Sequence, residues 1–191
     1  MKYDIFAMEK TLSRLISERR FHHSLGVQGM SVALAARYEA DIDRANIAGL
    51  LHDCAKDLKD EELVKECKKL NIPVTDVECR NGYLLHGKLG AYYAKHKFGV
   101  DDNDILSAII WHTTGKPDMS LLEKIVFVAD YIEPSRSQER IPNLNEIRVM
   151  AFADLNRAII AILKNTIDYL EKKGQEIDHS TYAAYEYYNK I

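Results

Sequence analysis

The sequence predicts an all-α protein folded as a single helical bundle. Apolar residues recur every three or four positions along most of the 191 residues, whereas the alternation typical of strands is nearly absent. Hydrophobic residues make up 47% and charged residues 29%, which fits a globular domain and excludes a largely disordered chain. No internal repeat or Gly/Ser-rich linker divides the sequence, so we expect one domain over residues 1–191.

About ten helices follow from this periodicity. They are predicted at residues 5–18, 23–38, 43–53, 60–70, 86–97, 103–112, 120–131, 143–151, 154–173 and 180–189. Asp60, Asp102 and Ser120 precede apolar patterns and are predicted N-caps, because their side chains can accept hydrogen bonds from free backbone N–H groups. Gly99 and Gly174 lie just past helical patterns, where a C-terminal stop is expected.

The first and ninth predicted helices carry the plainest core-facing stripes. In the first helix the stripe is Ile5, Met8, Leu12, Leu15 and Ile16. In the ninth it is Leu155, Ile159, Ile162, Leu163, Ile167 and Leu170. Neither stripe contains a residue with obvious chemistry, so these helices are interpreted as framework.

Charge, cysteine content and apolar run length restrict the class of protein. With 26 Lys and Arg against 29 Asp and Glu, the formal net charge is −3, so we expect no extended basic face for nucleic acid. Cys54, Cys67 and Cys79 never form a Cys-x-x-Cys motif, which argues against a disulfide framework and a thiolate zinc site. The N-terminus has no signal-peptide core and no apolar run approaches about 20 residues, so a cytoplasmic protein without a membrane segment is expected.

Histidines and carboxylates occur where core residues should be. In the second helix His23 shares the apolar face of Val27, Met30 and Leu34, at i, i+4, i+7 and i+11. A core histidine bonded to a carbonyl would explain this position taken alone. Asp130 closes the apolar run of residues 125–129, and burying it ionised and unpaired would be costly, so a cation, a metal or a shift to the neutral form must accompany it. The alternative is a residue at the helix end that faces water.

The adjacent pair His52 and Asp53 ends the apolar third helix. Neighbouring helical side chains point about 100° apart, so this pair could approach one ion from two directions. Similar positions at helix ends or on inward faces are shared by an ordered set: His23, His52, Asp53, His86, His112 and Asp130. Nitrogen and oxygen ligands without thiolates suit Fe, Mn, Zn or Mg and leave positions open for water and substrate, which indicates catalysis by one or two ions.

The ordered residues resemble the signature of the HD-domain metal-dependent phosphohydrolase superfamily, over about residues 20–136. More narrowly, they resemble the YqeK family of symmetrical diadenosine tetraphosphate hydrolases. The segments that carry this resemblance are Arg20–Val27, Leu51–Lys56, Leu84–Gly87, Trp111–Gly115 and Ala129–Arg136.

The resemblance implies a metal held by His23, His52, Asp53 and Asp130, with iron the expected ion and manganese the alternative. It further implies that His86 and His112 face either the phosphates or a second metal, and both options remain open. The expected catalytic residues are Asp53, Lys56, His86 and His112. Asp53 would ligate the ion and orient or deprotonate the water.

Substrate contacts are also implied by the resemblance. Arg136 could grip phosphate through two N–H groups, and Gly87 lies at a helix start with free backbone amides. Lys88 replaces the family's frequent proline, which changes the expected shape of that loop. The closing segment, with the C-terminal helices, is expected to complete the nucleotide pocket. The full expected set is His23, Asp53, His86, Gly87, Lys88, Leu89, His112, Arg136, Lys173, Gly174, Gln175, Glu176, Ile177 and Asp178.

The main functional hypothesis is hydrolysis of diadenosine tetraphosphate to two ADP molecules, with Lys56 and Arg136 stabilising charge on the phosphoryl oxygens. The alternatives are another HD phosphohydrolase acting on (deoxy)nucleotides or cyclic dinucleotides, a nucleotide-sensing module that does not turn over, and a helical scaffold with structural histidines. The expected partner is a dinucleoside polyphosphate or an ADP-like nucleotide, and the tyrosine-rich C-terminus could pack in a homodimer.

Overall fold

A computed structural model describes residues 3–190 and confirms the all-α prediction within that range. It contains eleven α-helices and one 3₁₀ turn, and these residues form no strand. The helices are α1 (Ile5–Leu15), α2 (Glu18–Arg37), α3 (Ile42–Leu51), α4 (Asp60–Lys69), α5 (Asp76–Arg80), α6 (His86–Phe98), α7 (Asn103–Trp111), α8 (Leu121–Ile132), α9 (Leu144–Ala153), α10 (Leu155–Lys172) and α11 (His179–Tyr188), and the 3₁₀ turn is Gly82–Leu85.

The first helix boundary was predicted wrongly. We expected one helix to residue 18 and the next from 23, but α1 ends at Leu15 and α2 begins at Glu18. Ile16 and Ser17 have extended backbone angles, and the Ser17 N–H donates to the side chain of Asp57, which fixes the break there. His23 therefore lies in the second turn of α2, not at its start.

Caps account for most of the remaining ends. Asp102 and Ser120 accept backbone hydrogen bonds as predicted N-caps, and Gly99 ends α6 in the left-handed conformation at φ 71°. Asp60 is not an N-cap, because Lys59 takes that position and Asp60 is the first helical residue. Its carboxylate still lies in the first turn, where its negative charge interacts favourably with the positive end of the helix dipole.

Helix α5 and the 3₁₀ turn were missed by the sequence analysis, which left residues 71–85 as a connection. The signal for α5 was present, since Thr75 and Glu78 form a reciprocal capping box. The Thr75 side chain accepts from the Glu78 N–H, and the Glu78 carboxylate accepts from the Thr75 N–H. A helix of five residues is too short for the apolar period to reveal.

The core is built around α2, α3, α7 and α8. The last seven residues of α3 are buried except for half-buried Asn46, and the helix packs against α2, α7 and α8. Helix α10 covers α8 and α9, and α11 is fixed by Tyr188, whose buried hydroxyl accepts from the Met119 N–H at 2.9 Å. No helix within residues 3–190 is both long enough and apolar enough to cross a membrane.

Candidate metal centre

Five helices bring the six predicted histidines and aspartates together. His23 comes from α2, the pair His52 and Asp53 directly follows α3, His86 opens α6, His112 follows α7, and Asp130 lies in the last turn of α8. All are buried except Asp130, which is half-buried. The prediction that these residues occupy helix ends and inward faces is therefore confirmed.

Each histidine ring is oriented by a hydrogen bond from its Nδ1. His52, His86 and His112 each donate to the backbone carbonyl three residues earlier, at 2.8 Å for His52 and 2.7 Å for His112. His23 instead contacts the Glu133 carboxylate, with 3.0 Å between Nδ1 and Oε1. In all four residues the Nε2 atom consequently faces the centre, the arrangement found in metal-binding histidines.

Two groups of ligand atoms share Asp53. In the first, His23 Nε2 lies 3.0 Å from Asp130 Oδ1 and 3.3 Å from His52 Nε2, and Asp53 Oδ2 lies 3.5 Å from His52 Nε2. In the second, the Nε2 atoms of His86 and His112 are 3.0 Å apart. Asp53 Oδ1 lies 3.3 Å from the nitrogen of His86 and 3.4 Å from that of His112. The two carboxylate oxygens of Asp53 thus face different groups.

This donor set fits a divalent metal ion. His86 and His112 both direct Nδ1 at a backbone carbonyl, so their Nε2 atoms bring two lone pairs to within 3.0 Å of each other, a repulsive contact that a cation between them relieves. Triplets of ligand atoms lie within 4.8 Å of one another in His23, His52 and Asp130, and again in His52, Asp53 and His112. Imidazole and carboxylate without thiolate suit Fe, Mn, Zn or Mg.

The charges around the centre are set by burial and by ion pairs. Burial opposes ionisation of Asp53, but its interactions with the imidazoles of His52, His112 and His86 hold its pKa well below the usual range. Burial likewise opposes ionisation of Asp130, yet His23 and Arg136 hold its pKa far below normal. The centre therefore presents two carboxylates to a cation.

The histidine pKa values move in opposite directions. Burial alone would lower the pKa of His23, but its contacts with Asp130 and Glu133 outweigh burial and raise the pKa to about 9. Burial and the nearby Lys56 lower the pKa of His86 to about 4. Lys56 Nζ is 3.1 Å from both ring nitrogens of His86, and burial lowers the pKa of this lysine as well.

Two arginines flank the centre. Arg20 Nη1 donates to Asp53 Oδ2 at 2.6 Å, and Arg136 Nη2 donates to Asp130 Oδ1 at 2.7 Å. The loop that carries Arg136 is itself held by Arg148 of α9, which donates to three backbone carbonyls in residues 132–136 at 2.9 to 3.3 Å. The geometry of the loop beside the centre therefore depends on α9.

A cavity of about 1290 Å³ opens beside the centre. Four arginines line it, two of them flanking the centre: Arg19, Arg20, Arg136 and Arg140. Its other walls include aromatic and polar side chains from α8, α10 and α11, among them Tyr131, Tyr169 and Thr181. Four acidic residues also line it: Glu133, Glu139, Asp168 and Asp178. Arginines beside aromatic and polar walls can bind a phosphorylated ligand with planar groups.

The six candidate metal-binding residues lie mostly beneath this cavity. Among the six, only His23 lines it. Thr113 also lines it and places its hydroxyl 3.0 Å from the Nε2 atoms of both His86 and His112. Thr113 thus covers the second group of ligand atoms on the side of the cavity.

Several predicted substrate contacts lie elsewhere. Of the predicted substrate residues, His23, Arg136 and Asp178 line the cavity, whereas Gly87, Lys88, Leu89 and residues 173–177 do not. Gly87 packs so closely on α7 that an added Cβ would lie 2.6 Å from a backbone oxygen. Lys88 is turned to Glu78, 2.7 Å away, and Leu89 is fully buried in a small core cluster.

Hydrogen bonds of Glu176 hold the closing segment, residues 173–177, outside the cavity. Its carboxylate accepts two hydrogen bonds from Arg80 of α5, at 2.7 and 3.0 Å, and a third from Asn81. This pair ties residues near 176 to the short helix that the sequence analysis missed. Among residues 173–178, Asp178 is on the cavity wall, and the substrate contacts of this segment stay predictions.

The sequence analysis did not identify Arg20, Thr113 or Glu133 as site residues, although each lies within a segment that carried the family resemblance. For Arg20 the signal was its spacing, since residue i−3 lies on the same helical face as His23. For Glu133 the signal was a carboxylate three residues after Asp130, beyond the end of a helix. Thr113 gave no signal besides its place next to His112.

Comparison with known proteins agrees with this geometry. The family model described as HD domain matches residues 20–135. Proteins named "Bis(5'-nucleosyl)-tetraphosphatase, symmetrical" are similar along most of their length: that of Halalkalibacterium halodurans is 42% identical over 170 residues, 89% of either chain, and that of Bacillus subtilis is 40% identical over 172 residues, 90% of either chain. A crystal structure from Clostridium acetobutylicum, described as a predicted HD superfamily hydrolase involved in NAD metabolism, has a TM-score of 0.93 at 42% identity and covers 98% of both chains.

Proposed function

Because the chain belongs to the HD-domain family, we propose that it is a metal-dependent hydrolase that cleaves diadenosine tetraphosphate symmetrically into two ADP molecules. The observation that carries the proposal is the shared carboxylate of Asp53 between two groups of inward-facing histidines, directly beneath a cavity with four arginines. The relatives that match over about nine-tenths of their length are named for this activity. The same residues would be superfluous in a structural scaffold.

The protein's own groups place the phosphate chain. Arg20 and Arg136 are charged at any physiological pH and lie on either side of the centre, where they can neutralise the phosphoryl oxygens as charge spreads over them. When bound, a divalent ion acts as a Lewis acid on those oxygens and lowers the pKa of water from about 15.7 towards about 7. The oxygen of water attacks the second phosphorus and forms a new P–O bond. The bond from that phosphorus to the oxygen that bridges it to the third breaks, one ADP leaves with this oxygen and its electron pair, and the proton of the water goes to solvent.

Asp53 is better suited to ligation and orientation than to holding a proton. Its pKa is far below the usual range, so it is a weak base in the folded protein. Its two oxygens face two different groups of imidazole nitrogens, which fixes the carboxylate from both sides. We therefore assign it the role of positioning the attacking water while His23, His52 and Asp130 complete the ligand set.

The identity and number of the metal ions, the cellular compartment and the homodimer also belong to this proposal. Iron is the proposed ion with manganese as the alternative, and His86 and His112 would hold a second ion together with Asp53 Oδ1. The described cysteines are all thiols, which suits the cytoplasm proposed for this protein. A homodimer through the tyrosine-rich C-terminus stays a prediction.

Product analysis tests the function directly. Protein loaded with Fe²⁺ under anaerobic conditions, or with Mn²⁺, is incubated with diadenosine tetraphosphate in ¹⁸O-labelled water, and products are resolved by chromatography and mass spectrometry. We expect two ADP per substrate, of which one carries a single ¹⁸O atom from the solvent, and no product after chelation. ATP with AMP would show a different cleavage position, and tight binding without hydrolysis would favour the sensing module.

A matched histidine pair controls for misfolding. His23→Ala removes a buried ligand, whereas His22→Ala changes the neighbouring side chain, which is 69% exposed and rotated away. We expect His23→Ala to lower the rate by more than about 100-fold. Loss of a group that only hydrogen-bonds to a metal ligand typically costs about 10- to 100-fold, and loss of the ligand itself should cost more. The rate of His22→Ala should stay near that of the unchanged protein, and equal losses in both variants would contradict the assignment.

A further inference from the structure

The hydroxyl of Thr113 lies against the second group of ligand atoms. Thr113 is half-buried in the turn after α7 and lines the cavity. Its Oγ1 atom is 3.0 Å from the Nε2 atom of His86 and 3.0 Å from that of His112. Those two nitrogens are themselves 3.0 Å apart, so the three atoms form a triangle with equal edges.

Hydrogen bonds cannot satisfy all three edges of this triangle. His86 and His112 each direct Nδ1 at a backbone carbonyl and therefore present a lone pair at Nε2. A threonine hydroxyl has one hydrogen, which it can donate to one of the two nitrogens. The other two edges then bring lone pairs together, nitrogen against nitrogen and oxygen against nitrogen. Lys56 does not relieve them, because its Nζ is 3.1 Å from both ring nitrogens of His86 and so lies off the direction of the Nε2 lone pair.

The edge length matches the spacing of neighbouring ligands around an octahedral ion. Bonds of about 2.0–2.1 Å, as Mg²⁺ makes, place adjacent ligand atoms about 2.8–3.0 Å apart. Asp53 Oδ1 adjoins the triangle at 3.3 Å from His86 Nε2 and 3.4 Å from His112 Nε2, and it supplies negative charge. A serine or threonine hydroxyl is a known ligand of Mg²⁺ in phosphate-binding loops, and Mn²⁺ accepts similar oxygen ligands.

Backbone contacts fix the turn that carries this hydroxyl. The Gly115 N–H donates to the Trp111 carbonyl at 2.9 Å, and Gly115 takes the left-handed conformation at φ 64°. The Thr181 hydroxyl of α11 donates to the Thr114 carbonyl at 3.2 Å. The position of Thr113 is thus set from α7 on one side and from α11 on the other.

We propose that Thr113 Oγ1 is a ligand of a second divalent ion, together with His86, His112 and Asp53 Oδ1. A cation bound by the three atoms of the triangle removes both lone-pair contacts at once, which a hydrogen bond cannot do. Thr113 then covers this ion on the side of the cavity. The inference rests on the metal centre of the proposed function, to which it adds a ligand that is neither imidazole nor carboxylate.

Metal binding tests the proposal without any need for turnover. Metal-free protein is titrated with Mn²⁺, and free Mn²⁺ is measured by electron paramagnetic resonance to give the number of ions and their dissociation constants. The unchanged protein should bind two ions per chain. Thr113→Val keeps the shape of the side chain and removes the hydroxyl, so it should weaken the second ion by about tenfold or more and leave the first unchanged.

Two further variants separate loss of the hydroxyl from disturbance of the turn. Thr113→Ser keeps a hydroxyl and should bind both ions as the unchanged protein does. Thr114→Val is the matched control, because Thr114 is the next residue, also lines the cavity and donates its hydroxyl to the Gly115 carbonyl at 3.0 Å. It too should bind both ions. A second-ion affinity of Thr113→Val equal to that of Thr114→Val would overturn the proposal.

Thermal unfolding provides a second readout. Ions that bind the folded protein raise Tm, and each variant is compared with its own metal-free form. The rise in Tm at saturating Mn²⁺ should be smaller in Thr113→Val than in Thr114→Val, and equal rises would show that the Thr113 hydroxyl is only a hydrogen-bond donor.

The unchanged protein alone can also reject the proposal. Binding of a single Mn²⁺ per chain removes the second ion and the role of Thr113 with it, whether or not any variant folds. Formation of two ADP by a protein with one ion would leave the proposed activity in place. Two ions that depend on Thr113, without hydrolysis of diadenosine tetraphosphate, would reject that activity and support the ligand.

Discussion

Replacing Glu133 should weaken metal binding without touching a metal ligand. Glu133 is 1% exposed, and its carboxylate lies 3.0 Å from His23 Nδ1 while also accepting the Ser135 N–H at 2.6 Å. A hydrogen bond to a charged group contributes about 1.5–3 kcal/mol and a neutral one about 0.5–1.5 kcal/mol. Glu133→Gln therefore removes about 1–1.5 kcal/mol of support from His23, which corresponds to an affinity loss of about tenfold.

Proton competition sets the sign of the pH dependence. Hydrogen bonds to Asp130 and Glu133 raise the pKa of His23 to about 9 against the opposing effect of burial, so below pH 9 a metal must displace a proton from this ring. Glu133→Gln lowers that pKa and so partly relieves the competition at pH 7. The affinity loss should accordingly be largest near pH 9 and smaller at pH 7.

Titration of Mn²⁺ against a chromophoric chelator at pH 7 and 9 measures both effects. Glu139→Gln is the matched control, because Glu139 is exposed, lines the same cavity and makes no hydrogen bond through its side chain. Glu133→Ala should lose about 100-fold, since it removes the whole acceptor. An affinity of Glu133→Gln within twofold of the unchanged protein at pH 9 would refute the orienting role.

Three further predictions concern the framework. Gly87→Ala should lower the free energy of unfolding in urea by about 1–3 kcal/mol, because a Cβ would overlap the α7 backbone, whereas Gly29→Ala, with nothing within 4 Å, should be neutral or stabilising. Arg148→Ala should destabilise by about 2–4 kcal/mol and raise KM, since three carbonyls lose their donor, and an unchanged KM would show that the loop keeps its shape without it. Burial raises the pKa of the Cys54 thiol to about 12, so iodoacetamide at pH 8 should modify exposed Cys79 and not Cys54, which mass spectrometry detects.

The family and fold could be predicted because they depend on local pattern. Helical periodicity located all ten predicted helices, and apart from the start of α2 and the end of α1 their ends agree within two residues. The start of α2 failed because a long-range contact decides it: the Ser17 N–H donates to Asp57, forty residues away. The sequence carries a local signal, because Ser17 is a residue type common at N-caps and Glu18 follows it in the first turn, but the Ser17 side chain makes no capping hydrogen bond.

The convergence of the six candidate ligand residues could be predicted from the sequence, but their grouping could not. A polar side chain on the apolar face of a helix can be recognised from the sequence of that helix alone. This was the signal for His23, His52, His86 and His112. Which nitrogen faces which oxygen depends on how helices cross. The sequence analysis accordingly left open whether His86 and His112 meet the phosphates or a second ion.

Glycine packing explains how the second group of ligand atoms is assembled. His86 and His112 lie 26 residues apart, and their Nε2 atoms reach 3.0 Å because α6 approaches the α7 backbone directly at Gly87. Any larger residue there would hold the two helices apart and separate both imidazoles from Asp53 Oδ1. We therefore attribute the glycine after His86 to close helix packing, and a Gly87→Ala variant that kept both stability and metal stoichiometry would refute this interpretation.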